Sequence, residues 1–186
     1  MAAMEEEWQT AQLLARAPVA GDEEGYRAVF LDPAVSEWLR PAPMRPFGET
    51  EVAEMLGEDR RHWAEHGFGP WVLVDREDGS VLGRGGLRWT EIDGHPEIEL
   101  PWAVRSECWG RGLASEAAVA AVQWARALGL AEVAALILPG NLRSRRVAEK
   151  AGLELAGDTL HAGQPHLVFR LELGGEAGDR APAQPG

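Results

Sequence analysis

Residues 107–128, ECWGRGLASEAAVAAVQWARAL, lead a short Gly/Arg turn straight into a long amphipathic helix. Residues 139–153, PGNLRSRRVAEKAGL, form a second, shorter helix closed by a glycine. Between them VAALIL (133–138) is wholly apolar and too short for a buried helix, so it fits a strand covered on both faces. This helix–strand–helix order commits the chain to layers of helix against sheet. In the first helix Leu113, Ala117, Ala121, Trp124 and Leu128 make one apolar stripe, and Gly129 stands where a C-terminal glycine belongs. Asn141 is a natural N-cap for 142–151, and Gly152 ends that helix.

The remaining segments build on this unit. AQLLARA (11–17) reads as a short strand, followed by a loop and a first helix with Asp22 as its N-cap. Pro33 and PAPMRPFGE (41–49) break the chain. Val52, Met55, Leu56 and Trp63 recur at helical spacing between about Thr50 and His66. From 69 to 104 three strand-like runs are separated by the turns DREDGS and DGHP, an antiparallel meander. The last strands are expected at 153–160 and 166–173, joined by HAGQP. Residues 1–9 read as a flexible acidic start, 10–173 as one domain, and 174–186, Gly/Pro/Ala-rich without apolar period, as a disordered tail.

The chain has 186 residues and a net charge of −12. That length suits one domain. The acidic balance argues against nucleic acid, whose phosphates need a basic face. It keeps a protein soluble and also suits a substrate with positive charge, such as an amine. No apolar run is long enough to span a bilayer, and MAAMEEEWQT lacks a signal-peptide pattern, so a cytoplasmic location with no membrane partner is expected. A single cysteine, Cys108, excludes intramolecular disulfides and multi-Cys metal sites, and the five His form no HExxH motif, so no metal is expected.

The turn Trp109-Gly110-Arg111-Gly112-Leu113-Ala114-Ser115 opens a helix. A first helical turn leaves backbone N–H groups unpaired, and the dipole favours an anion there. Small residues at 112 and 114 let a diphosphate approach, and Arg111 adds a charge-assisted contact. A plain tight turn is the alternative. There is no G-x-x-x-x-G-K-[ST] run, and G-R-G-L-A-S is not a dinucleotide fingerprint.

In this order, the meander, EIELPWAV, WGRGLASEA, the apolar strand and NLRSRRVAEKAGL resemble the GNAT N-acetyltransferases, and within them the RimJ/RimL group. The resemblance covers about residues 10–173. It implies an α+β, three-layer α/β/α fold, with a mixed, mostly antiparallel sheet of about seven strands whose central strand is bulged. It also implies acetyl-CoA as co-substrate, direct attack by a primary amine on the thioester, and an acceptor that is a protein α-amine or a small molecule such as an aminoglycoside or polyamine. A homodimer is compatible with it. An acyl-CoA-binding module without turnover is the rival reading, as is a CoA-independent domain in which the turn is only a turn.

By the same resemblance the pantetheine arm lies in a gap where the strand before the turn splays from its neighbour. Leu100-Pro101-Trp102 falls at that point, and proline belongs at an interrupted ladder. The amides of Trp102, Ala103 and Val104 then become candidates to hold the pantetheine and polarise the thioester carbonyl. Glu99 is the candidate general base and Glu97, on the same strand face, the second choice. A tyrosine that protonates the leaving thiolate in many members is matched here by Ala148. Ser144, one turn earlier beside Asn141, is the candidate acid, and hydrogen bonding to backbone or pantetheine is its other role. Asn141 is expected to contact the carrier, Arg145 to face it and Arg146 to face solvent. Cys108 is expected to pack rather than react. His166 is an ordinary strand residue or faces substrate, and Trp38, Trp63 and Trp71 either line a substrate cleft or pack. An α-amine, with a pKa near 8, is neutral in about a tenth of molecules at pH 7, far more than a lysine side chain.

Overall fold

The structure, a computed structural model, describes residues 7–174. Among the described residues, ten strands form two five-stranded sheets. The first contains β1 (Glu7–Gln9), β2 (Leu13–Arg16), β3 (Pro70–Asp75), β4 (Val81–Gly86) and β7 (Trp102–Val104) in that order, all antiparallel. The second has the order β5 (Arg88–Ile92), β6 (His95–Glu99), β8 (Glu132–Ile137), β10 (Gln164–Glu172), β9 (Glu154–His161). Its only parallel pair is β6 with β8.

The expected single sheet of about seven strands is therefore two sheets, and the reason is local. The chain passes straight from a strand of one sheet to a strand of the other at Gly86–Leu87, between β4 and β5, and at Leu100–Pro101, between β6 and β7, and it changes sheet a third time through the helix that joins β7 to β8. Leu100 N–H still donates to Ala134 O on β8 at 2.8 Å, but two residues later Trp102 pairs with Gly85 of β4. Pro101 has no N–H to extend either ladder. The two sheets diverge at that residue, and the gap between β7 and β8 is the result.

Helices cover both faces of the first sheet. Residues 70–75 (PWVLVD) alternate strictly between them: Val72 and Val74 pack with Tyr26, Val29, Phe30, Val52 and Leu56, whereas Trp71 and Leu73 pack with Leu113, Ala117, Ala121 and Trp124. The first group comes from α1 (Glu23–Phe30) and α3 (Glu49–His66), the second from α4 (Leu113–Ala127). The three-layer expectation holds on these residues. On the far side α5 (Leu142–Lys150) buries Ala148 in the same core as α4.

Three local readings needed correction. The three runs expected between 69 and 104 are five strands, β3 to β7, because the sheet changes at Gly86–Leu87 and Leu100–Pro101 cut two of the runs. Pro33 does not break the chain; it opens a further helix, α2 (Pro33–Leu39), because Asp32 caps it by accepting from Ala34 N–H at 2.9 Å and proline suits the first helical turn. Asp22 flanks α1 without capping it, since its carboxylate is held by Arg16 and the Val19 N–H. Of the expected flexible start, residues 7–9 form a strand on β2; residues 1–6 and all of the expected tail but Gly174 lie outside the described residues.

Under α3 a buried cluster joins three elements. Arg84 on β4 forks onto Asp59 through Nε and Nη2, both at 2.6 Å, and Tyr26 O–H donates to the same carboxylate at 2.6 Å. Burial works against the guanidinium charge, but Asp59 more than offsets it and the Arg84 pKa is raised. Replacing Asp59 with Ala strands that cation out of water. The expected outcome is a loss of about 3–5 kcal/mol in urea unfolding, whereas the double change Asp59→Leu with Arg84→Met recovers much of it.

Candidate active site

The turn before α4 is held open by its own backbone. Gly110 and Gly112 have φ of 85° and 83°, a region where L side chains are strained, and a Cβ at either would meet no protein atom within 4 Å. The N–H groups of Gly112, Leu113, Ala114 and Ser115 have no backbone or side-chain acceptor among the described residues. Glu116 fixes the turn in place: its carboxylate accepts from Gln12 N–H at 2.7 Å, from Gln12 Nε2 at 2.8 Å and from the Thr10 hydroxyl. Unpaired amides at a helix head and empty space before them make a ready anion site.

That space continues as a cavity of about 360 Å³. The turn (Trp109, Gly110, Gly112 to Ser115) and the inner strand (Trp102 to Val104) form two walls, and Asn141, Arg143, Ser144, Arg146, Val147 and Lys150 form the third. Val35, Trp38 and Leu39 of α2 close it from the other side. Arg105 N–H donates to Leu82 O at 2.9 Å. By the alternation of an antiparallel ladder, Ala103 N–H then faces β4, and the Trp102 and Val104 amides face the gap. Trp102 Nε1 donates to Ser144 Oγ at 3.3 Å, which leaves the serine hydroxyl hydrogen free to point elsewhere. Asn141 Oδ1 caps α5 by accepting from Ser144 N–H at 3.0 Å, and its NH₂ remains for a ligand.

Glu99 ends β6 immediately before the crossing and is 8% exposed. Arg88, its direct partner across the β5–β6 hairpin, reaches Oε2 with Nε at 2.7 Å and Nη2 at 2.6 Å. Oε1 has no partner among the described residues and is not sealed from solvent. Half-buried His161, at the tip of the β9–β10 hairpin, lies within electrostatic reach of Glu99 and edge-on to His166, ring centroids 5.6 Å apart. Burial lowers the His161 pKa, with Glu99 acting in the opposite sense.

Against known families, residues 12–154 match the acetyltransferase (GNAT) domain. The chain belongs to the GNAT acetyltransferases. It is 30% identical over 122 residues to the uncharacterized protein YkkB of Bacillus subtilis (strain 168), covering 64% of this chain and 70% of that one. An acetyltransferase structure from Agrobacterium tumefaciens superposes with a TM-score of 0.75 at 26% identity, over 89% of this chain and 94% of that one. The ribosomal-protein-S5-alanine acetyltransferase of Vibrio fischeri superposes with a TM-score of 0.70 over 95% and 99%, but at 18% identity the likeness is one of fold.

The co-substrate of such an acetyltransferase is acetyl-CoA, and the residues present fit it. Unpaired amides at one end suit an anionic linkage, the diverging strands leave a slot wide enough to be lined by three elements, and Ser144 and the two free strand amides stand at the far end. Several expected contacts are placed differently in this acetyltransferase. Arg111 turns out of the cavity toward Asp75 (3.4 Å) and Cys108 Sγ (3.8 Å). Arg145 lies on the opposite side of α5, by Glu149 and Phe169, while Arg146 lines the cavity; positions 143, 144, 146, 147 and 150 share the cavity face and leave 145 and 149, four apart, on the other. Glu97 is not available as a base, since Arg170 forks onto both its oxygens at 2.6 and 2.8 Å. Trp63 and Trp71 stack on Trp124 in the core, and of the three tryptophans only Trp38 reaches the cavity. Cys108 is buried with the core and also borders the cavity. Arg143 and Lys150 were missed, although the spacing 143, 146, 150 along one helix face carries the signal.

Proposed function

We propose that this chain acetylates a primary amine by direct attack in the RimJ/RimL manner, with a protein α-amine as the first acceptor class. The observation that carries the reading is the continuous path from the free amides at Gly112–Ser115, past Trp102, Ala103 and Val104, to Ser144. When bound, acetyl-CoA supplies an activated acyl thioester. The amides of Leu113, Ala114 and Ser115 and the α4 dipole hold its diphosphate, with Trp109, Gly110 and Gly112 shaping the turn around it. The Trp102 and Val104 amides hold the pantetheine arm and polarise the carbonyl, and Asn141 orients the arm through its NH₂. Glu99 takes the amine proton through Oε1 or a bridging water, while Arg88 fixes Oε2. Ser144 donates to the departing sulfur, its oxygen already accepting from Trp102 Nε1. The net charge of −12 favours a second acceptor class, a small polycation such as a polyamine or aminoglycoside.

Thiol release from acetyl-CoA tests this across three acceptor sets: peptides with a free α-amine, N-blocked lysine peptides, and polyamines with aminoglycosides. The α-amine peptides are expected to turn over fastest. Release with the polycations alone would transfer the site to the second class. CoA binding with no release from any amine would make the chain a binding module.

A further inference from the structure

The α3 residue His62 is used by neither the binding path nor the proton steps above, yet it sits where the chain changes sheets. Its Nδ1 lies 2.8 Å from Phe68 O, and Trp89 N–H donates to its Nε2 at 2.9 Å. A carbonyl oxygen only accepts, so Nδ1 carries the proton; an N–H only donates, so Nε2 carries the lone pair. The ring is therefore neutral and in one tautomer. It ties the residue two before β3 to the second residue of β5, on either side of the Gly86–Leu87 crossing. Arg88, the neighbour of Trp89, is the residue that grips Glu99 at the other crossing. One imidazole, one amide and one guanidinium thus connect α3 to Glu99 across the point where the sheets part.

We propose that His62 is a positioning residue for the acceptor-side base: as the neutral Nδ1–H tautomer it fixes the start of β5 and through Arg88 the setting of Glu99, and its protonation releases that setting. This rests on the reading of Glu99 as base. A second proton at Nε2 would place two donors face to face at Trp89, which breaks the tie. Four groups act on the ring's charge or edge: His66 and Asp59 on α3, Arg88 on β5, and the Phe68 ring edge-on at 5.3 Å. Burial is the largest influence and lowers the His62 pKa below 6.5; the Phe68 carbonyl and Asp59 oppose it, His66 and Arg88 reinforce it. The neutral tie is therefore complete above the ordinary histidine pKa. It weakens as pH falls below 6.5 toward the lower value of the folded protein.

The test uses the full chain. First, ¹⁵N shifts of the His62 ring in the free protein are followed from pH 8 to pH 4.5 together with the Trp89 amide. An Nδ1–H ring at pH 8, with both signals moving at one midpoint below 6.5, supports the proposal; an Nε2–H ring or an unmoved Trp89 amide overturns it. Second, kcat and KM are measured with acetyl-CoA and the fastest amine of the panel for His62→Ala, His62→Gln and Glu99→Gln. His62→Ala is expected to lower kcat about tenfold, with KM for acetyl-CoA within a factor of about two. Gln keeps an acceptor for Trp89 and does not titrate, so H62Q is expected to recover part of kcat and to lose the acid-side fall that His62 adds. Wild-type kcat in H62A, with E99Q impaired, removes His62 and leaves Glu99 standing. A fully active E99Q removes the base reading itself. If H62A does not fold, the ring shifts and H62Q decide the matter.

Discussion

Replacing Gly112 with Trp is expected to raise the dissociation constant for CoA at least about a hundredfold, a loss of roughly 2.7 kcal/mol of binding, while the protein stays folded. Two effects combine. At φ 83° any side chain brings backbone strain of about 1 kcal/mol. The larger effect is occupation: a Cβ at 112 meets open space, and Gly112 lines the cavity, so an indole there is expected to take up room beside the free amides of residues 113–115. Gly112→Ala separates the two, since a methyl group adds the strain with little of the bulk. Isothermal titration with CoA, alongside a thermal melt, reads both. G112A is expected to bind within about tenfold of the native protein and to melt a few degrees lower. If G112W binds CoA like the native chain, the turn is not where the carrier lies.

How much of this was legible from the sequence depends on whether the signal is local. The α4 turn was readable because a glycine pair, a small residue at 114 and an apolar stripe all fall within one window of chain. Asn141 and Ser144 were readable for the same reason, lying three residues apart on one helix. The division into two sheets was not, because periodicity reports that a strand exists and not which neighbour it keeps; Pro101 marked an interruption, but nothing in residues 86–87 announced the second crossing. Arginine partners were the least legible. A guanidinium reaches far enough that its partner is set by tertiary neighbours: Arg111 finds Asp75, Arg170 finds Glu97, and Arg84 finds Asp59, each 25 or more residues away in the chain. Arg88 was the exception that could have been found. The two-residue hairpin at Asp93–Gly94 sets it opposite Glu99, so counting back from the turn yields the pair.

Changing Glu99 to Gln tests the chemical step most directly. The substitution keeps the shape of the side chain and a carbonyl oxygen for Arg88, and removes the ability to accept a proton. Arg88 is 36% exposed and can regain water, so the fold should tolerate the lost ion pair better than it tolerates the loss of Asp59 from its sealed partner. Turnover is expected to fall about a hundredfold or more, in the range a positioned base provides, with KM for acetyl-CoA nearly unchanged because Glu99 does not line the carrier cavity. The pH dependence discriminates further. In E99Q no carboxylate stands ready to take the proton, and the residual rate should follow the neutral fraction of the amine alone, rising toward the α-amine pKa near 8 for a peptide acceptor. An E99Q enzyme with native kcat and a native profile would leave the free Oε1 atom without a chemical role and move the search for a base to the His161–His166 pair at the hairpin tip. Selective loss in E99Q with intact CoA affinity, set beside intact folding with lost CoA affinity in G112W, would place proton removal and carrier binding at opposite ends of one path.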